Sequence, residues 1–246
     1  MELPIGTKYA VVTGASAGIG REVVREFAKM GDWKVFAIAR RMDLLESLAA
    51  EFPSGQIIPI TLDVSLYDNS RLVSTLSTMG VHDISVVINN AGLLVNRPFE
   101  TISIQEWELV FKSNVIGPAL FIRDLLPYLG QRGVSHVVNI SSMGGLSGTV
   151  KFPGLAAYSS SKGALSVLTE VLAEEFKDRN IDIDLLLWEK TIVNTQNLQL
   201  PHPEILNRKF VLHYILELSK TNDFIKLNFL SKMDIPHHIK TQIGKQ

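Results

Sequence analysis

TGASAGIG, residues 13–20, lies between the apolar run KYAVVT (8–13) and a stretch that repeats apolar residues at helical spacing, Ile19, Val23, Phe27 and Met30. Glycines at 14, 18 and 20 let a chain turn tightly off a strand end and bring the next helix's N-terminus close to a phosphate. There, open N–H groups and the helix dipole favour an anion. The stretch therefore predicts a strand, a phosphate-binding turn and a helix, with Gly14, Ser16, Gly18, Ile19 and Gly20 against a dinucleotide. A turn that needs glycine only for its dihedrals is the alternative, but it leaves the flanking strand and amphipathic helix unexplained.

Outward from this turn the same alternation continues. WKVFAIA (33–39), QIIPIT (56–61), ISVVIN (84–89), SHVVNI (135–140) and IDIDLLL (181–187) read as strands. Helical patterns separate them, as at Leu165, Leu168, Leu172 and Phe176. Strands apolar on both faces, taking turns with helices, indicate an α/β chain with a parallel sheet covered on each side.

Composition narrows the function classes. The 246 residues are 46% hydrophobic and 20% charged, as in an ordinary globular protein with a substantial core. A net charge of −1 gives no support for a nucleic-acid or anionic-membrane partner. With no cysteine, disulfides, thiolate zinc sites and cysteine nucleophiles are excluded, and no other metal-ligand spacing stands out, so no metal is expected. MELPIGTKYAVVTG lacks the basic start and apolar stretch of a secretory signal, and no apolar run is long enough to cross a bilayer. A cytoplasmic location is the expectation.

The end of the second strand selects the cofactor in such a fold. An acidic side chain there takes the ribose 2'-hydroxyl of NAD, and an arginine accommodates the 2'-phosphate of NADP. WKVFAIARR puts Ala39 where the acid belongs, followed by Arg40 and Arg41. Guanidinium matches phosphate with paired donors, so NADP(H) is expected. Two solvated arginines at a helix start are the alternative, and even then the acid is missing.

TGASAGIG, LDVS (62–65), NNAG (89–92), Asn114 in KSNVIG, NISS (139–142) and YSSSK (158–162) together resemble the successive motifs of single-domain short-chain dehydrogenases/reductases. The resemblance covers about residues 7 to 187. It implies a Rossmann-like doubly wound sheet and hydride transfer between a nicotinamide cofactor and a carbonyl or alcohol. By the same resemblance Asp63 accepts from the adenine amino group with the Val64 amide beside it, and Asn90, Ala91 and Gly92 line the cofactor. Asn114 falls within a helical stretch at about 103–129, where asparagine is a poor helix former. In the family this residue opens the helix and holds a water in the proton path. An asparagine tucked under Gly117 and Pro118 at a kink is the plain alternative, and the two are compatible.

Tyr158 and Lys162, four residues apart on a predicted helix, share one face. A nearby cation lowers a tyrosine pKa from its usual ~10 toward working pH. Tyr158 is then the expected proton donor to the carbonyl oxygen, Ser142 a hydrogen-bond donor to the same oxygen, and Lys162 also a holder of the nicotinamide ribose. A solvated lysine on a serine-capped helix is the dull alternative, which the upstream motifs outweigh.

Fifteen residues separate Ser142 from Tyr158, where the family has about a dozen, so Ser141 stays an alternative. The intervening glycines and Pro153 predict a loop bordering the substrate pocket, with Met143, Leu146, Phe152 and Leu155 as apolar contacts.

The chain departs from the family after about residue 187. Trp188 and Glu189 stand where Pro-Gly is usual, and Thr191 or Thr195 could replace the threonine that follows. A helix is expected at about 203–220 and a strand near 224–230. This end is either a divergent lid and oligomer surface or a replaced C-terminus, for instance from an altered reading frame. Residues 1–246 are read as one domain, with 7–187 as the family-like core. The expected function is an NADP(H)-dependent carbonyl reductase acting on a small molecule; the alternative is a nucleotide-binding regulator or scaffold with little activity. The helices at 103–129 and 156–179 pair subunits in the family, so a homodimer is expected, or a homotetramer.

Overall fold

Each predicted apolar run pairs with its neighbours in a sheet. A computed structural model describes residues 7–187 and, beyond them, the backbone of two short strands. It gives β1 (Lys8–Thr13), β2 (Trp33–Ala39), β3 (Ile57–Thr61), β4 (Val86–Asn89), β5 (Ser135–Ser141) and β6 (Ile181–Leu187), all parallel in the order β3-β2-β1-β4-β5-β6. The helices are α1 (Gly18–Lys29), α2 (Met42–Ala49), α3 (Ser70–Thr78), α4 (Ile104–Phe111), α5 (Gly117–Leu125) and α6 (Ala156–Phe176).

The connections between the parallel strands put helices on the two faces of the sheet. On one face Val11, Phe36, Ile60, Val87, Val137 and Ile183 form a continuous core with Leu72 and Leu76 of α3, Phe121 and Leu125 of α5, and Phe176 of α6. The intervening strand residues point the other way, where α1 packs on β1 and β2, and α2 on β3. Ala10, Val12, Val35 and Ala37 are buried there too, which is why these strands read as unbroken apolar runs. Because the strand order reverses between β1 and β4, the loops leaving their carboxyl ends diverge and open a crevice.

The helical stretch predicted at 103–129 is broken in an informative way. Ser103 and Glu106 cap α4 reciprocally, Ser103 Oγ accepting from the Glu106 N–H at 3.2 Å and Glu106 Oε2 from the Ser103 N–H at 3.0 Å. A π turn, Lys112–Ile116, then joins α4 to α5, and a single 3-10 turn, Leu126–Tyr128, ends the run. Gly117 is needed after the π turn, since a Cβ there would stand 2.8 Å from the Val64 carbonyl. α6 ends at Phe176, three residues short of the predicted 179.

The chain divides into two units at Trp188 and Glu189. In the second, Val193–Thr195 (β7) and Leu198–Leu200 (β8) pair antiparallel, a hairpin not foreseen in the sequence. Trp188, Glu189, Thr191, the helix at 203–220 and the strand at 224–230 lie outside the described residues, and Thr195 is described only as β7 backbone.

Candidate active site

The glycine turn after β1 is built as its spacing predicted. Gly14 and Gly18 have φ of 70° and 57°, in the left-handed region that favours glycine. A Cβ on Gly20 would stand 2.5 Å from the Gly14 carbonyl, so the first turn of α1 can close on the strand end only without one. Ala17 precedes α1 without a side-chain cap, leaving the helix's first N–H groups open to an anion.

Asn90 is tied to this turn. Its Nδ2 donates to the Thr13 carbonyl at 3.1 Å and to the Gly14 carbonyl at 3.4 Å, while Thr13 Oγ1 accepts from the Asn90 and Ala91 N–H groups, both at 3.1 Å. Its side chain therefore holds β4's exit against the glycine turn. Thr13 was missed in the sequence because a hydroxyl at a strand end has no distinctive spacing.

A cleft of about 390 Å³ opens over the carboxyl ends of β1 to β4, within the range of small-molecule sites. Of the residues expected beside the cofactor on these elements, Gly14, Ser16, Ile19, Arg40, Arg41, Asp63, Val64, Asn90, Ala91 and Gly92 line it. Gly18 and Gly20 do not, and shape the turn instead. Leu109 and Ser113 join the wall from α4 and the π turn, a contribution no local pattern announces.

At the β2 end Ala39 is buried, and the two arginines differ. Arg41 Nη2 donates to Ser16 Oγ at 3.1 Å, spanning from the β2 exit to the glycine turn. Arg40, with a side chain 75% exposed, reaches to 3.8 Å from Asp63 Oδ2. Asp63 Oδ1 accepts from the Ser65 N–H at 2.9 Å and its hydroxyl at 2.7 Å, which fixes the carboxylate at the mouth of the cleft.

A second group of side chains meets at Gly92. A Cβ on Gly92 would be 3.5 Å from Asn114 Oδ1 and 3.6 Å from Lys162 Nζ, so three separate segments converge on the space this glycine leaves. Lys162 is 4% exposed, its Nζ donates to the Ile140 carbonyl at 2.7 Å and lies 5.9 Å from the Tyr158 ring centroid, as the i, i+4 spacing required. Burial pulls its pKa down to about 8.

The two serines at the β5 end separate. Ser141 Oγ donates to the Lys162 carbonyl at 3.0 Å and faces Ser166 Oγ at 3.2 Å, buried under α6. Ser142, in extended backbone just past the strand, accepts from the Gly144 N–H at 3.2 Å. Ser141 is thus spent on holding α6, and Ser142 is the better candidate for the reacting oxygen. The next glycines seat the loop, since a Cβ on Gly145 would stand 2.6 Å from the Gly163 N. Of the loop's expected pocket contacts, Phe152 and Leu155 line a separate cavity of about 700 Å³ with Pro98, Phe99 and Ser160. Met143 does not line it; it is buried at 4% exposure, its carbonyl accepting from Thr149 Oγ1, and Leu146 is likewise absent from the lining.

Below the site, Asn89 Nδ2 donates to Asn139 Oδ1 and Asn139 Nδ2 to Thr169 Oγ1, both at 2.9 Å, a buried polar ladder through β4, β5 and α6. At the opposite end of the strands, His136, Asp182 and Asp184 bring metal-ligand atoms within 4.8 Å of one another. The register that pairs His136 with Asp182 leaves their Nδ1 and Oδ2 3.2 Å apart.

Residues 8–199 match the family model of short chain dehydrogenases. The chain belongs to this family. An oxidoreductase of Botryotinia fuckeliana is 33% identical over 184 residues, which cover 73% of this chain and 64% of that protein. A metagenomic short-chain oxidoreductase, solved in complex with NADP, superposes with a TM-score of 0.68 at 29% identity, covering 76% of this chain and 85% of its own. A 3-ketoacyl-(acyl-carrier-protein) reductase from Brucella melitensis, complexed with NADH, gives a TM-score of 0.66 at 27% identity, covering 73% of this chain and 74% of its own. The short-chain dehydrogenase core thus accounts for the sheet order and the glycine turn. No helix among its described residues is long and apolar enough to cross a membrane.

Proposed function

We propose that this short-chain dehydrogenase is an NADP(H)-dependent oxidoreductase that interconverts a carbonyl and an alcohol, working as a carbonyl reductase on a small molecule. The observation that carries it is the convergence on Gly92 of Lys162 Nζ and Asn114 Oδ1, at the wall of the cleft that also holds Arg40, Arg41 and the glycine turn. One ligand reaching from the arginines to the lysine fits a dinucleotide. A Cβ at Gly14 or Gly20 would clash with the turn and with Asn90, so the close approach of α1 to the strand end that a phosphate site needs depends on these glycines, which supports the same fit.

When bound, the nicotinamide supplies the hydride. The protein's part is to hold and protonate. Charge developing on the carbonyl oxygen takes a hydrogen bond from Ser142 Oγ and a proton from the Tyr158 hydroxyl. Lys162, with a pKa of about 8, is mostly cationic at neutral pH, favours the phenolate and holds the ribose. The π turn at Asn114 opens the helix beside Lys162, in line with a water path for proton resupply.

The absence of an acid at Ala39 and the Arg41 bridge to Ser16 favour NADP over NAD, as in the metagenomic relative; the Brucella relative binds NADH. A cytoplasmic NADPH pool would drive reduction. Ile104, Val167 and Val171 are exposed apolar residues on α4 and α6, which suits a homodimer through these helices, with a homotetramer as the larger form. A monomer by light scattering would count against that assembly.

The deciding experiment titrates the protein with NADPH and NADH, then offers ketones, aldehydes and diketones, with Tyr158→Phe alongside. Tighter NADPH binding is expected, with turnover that Tyr158→Phe reduces at least a hundredfold. Full turnover by Tyr158→Phe overturns the mechanism. NADPH binding with no turnover on any carbonyl or alcohol favours the regulator reading.

A further inference from the structure

α6 carries Tyr158 and Lys162 in its first two turns, yet Leu155 precedes it without a side-chain cap. Uncapped helix starts tend to fray, and a proton donor on a fraying turn has no fixed position. Ser161 supplies an anchor. Its hydroxyl is fully buried, donates to the Tyr158 carbonyl at 2.7 Å and accepts from Asn114 Nδ2 at 2.9 Å. Asn114 grips Leu93 from both sides, Oδ1 accepting from the Leu93 N–H at 2.7 Å and Nδ2 donating to its carbonyl at 2.9 Å. Both protons of the Asn114 amide are therefore committed, one to Leu93 and one to Ser161.

We infer that Ser161 is a positioning residue that locks the first turn of α6 to the π turn and the β4 exit loop, and so fixes Tyr158 and Lys162 over the Gly92 space. This rests on the reading of Tyr158 and Lys162 as proton donor and electrostatic partner. Three segments distant in sequence are linked here: the Asn114 amide joins 90–93 to 112–116, and the Ser161 hydroxyl joins that pair to 158–162. Without it, Asn114 loses its tie to α6, and its clasp on Leu93 loses the support that holds the amide in place. A displacement of ~1 Å at a reacting group can cost ~100-fold in rate.

The test compares Ser161→Ala, Ser161→Thr and Thr169→Val. Thr169 also donates a buried bond within α6, to the Leu165 carbonyl at 2.7 Å, but about two turns beyond Lys162, so Thr169→Val controls for lost stability. For Ser161→Ala we expect kcat to fall ~10-fold or more with KM and the NADPH Kd changed less than ~3-fold, and Leu93 amide exchange to quicken ~10-fold. Ser161→Thr, which keeps the hydroxyl, should stay within ~3-fold of the parent in both readouts. Thr169→Val should lower the melting temperature without either change. Parental kcat or parental Leu93 protection in Ser161→Ala overturns the inference, as does Thr169→Val reproducing both effects. If the alanine variant does not fold, Ser161→Cys, a much weaker hydrogen-bonding group of similar size, carries the same expectation. No turnover in the parent sinks the reductase reading instead, and the Leu93 exchange still decides what the serine does.

Discussion

Lys162→Met is the substitution whose effect the structure sizes best. Burial lowers the lysine pKa from 10.5 to about 8. Between those values the unfolded chain holds a proton that the folded chain does not, so folded stability rises with pH across the window and the deficit is complete below pH 8. At about 1.4 kcal/mol per pKa unit, the buried charge costs the folded protein about 3 kcal/mol at neutral pH. Methionine removes the titration and keeps the stem. It also removes the bond from Nζ to the Ile140 carbonyl, worth about 1 kcal/mol, as a roughly pH-independent loss. The stability of Lys162→Met relative to the parent should therefore improve by about 3 kcal/mol on going from pH 10.5 to pH 7. Urea unfolding of the two nucleotide-free proteins at pH 7, 8.5 and 10.5, both carrying Tyr158→Phe because Lys162 also biases the Tyr158 phenol, measures that gap, with titrations common to both cancelling. A gap that does not change with pH would refute the depressed lysine. The variant should be more stable relative to the parent at the pH where activity is wanted, and inactive there.

Gly20→Ala puts a Cβ 2.5 Å from the Gly14 carbonyl, so nucleotide affinity by calorimetry should drop at least tenfold; unchanged affinity would mean that the turn is not the phosphate site. Arg41→Ala removes the bridge to Ser16, and should weaken NADPH ~10-fold or more while leaving NADH within ~3-fold, measured by fluorescence titration. Equal losses for both nucleotides would remove the 2'-phosphate assignment. Asn139→Ala leaves Asn89 Nδ2 and Thr169 Oγ1 facing each other across a gap, and should destabilise by about 2–4 kcal/mol in urea unfolding. A change under about 0.5 kcal/mol would show that solvent replaces the amide.

Much of this short-chain dehydrogenase was legible in the sequence because the decisive contacts are local. The glycine turn joins neighbouring elements, so its spacing carries its geometry. Tyr158 and Lys162 share a helix face by four-residue periodicity alone. Six apolar runs separated by helical patterns fixed the class of the sheet, since a strand buried on both faces has no polar alternation to show. The missing acid at Ala39 needed only its place at a strand end.

Where partners lie far apart in the chain, no spacing could reveal them. That Ser141 braces α6 while Ser142 is left at the strand end depends on Lys162 and Ser166, more than 20 residues away. Asn114 could be read as a poor helix former, but its clasp on Leu93 and Ser161 exists only once β4, the π turn and α6 are packed together. Met143, apolar and beside Ser142, belongs to the core because the loop folds back on α6 at Gly145 and Gly163. Sequence periodicity reports which face of an element is apolar; which atoms of other segments that face meets is set by packing, and there the tertiary structure decided.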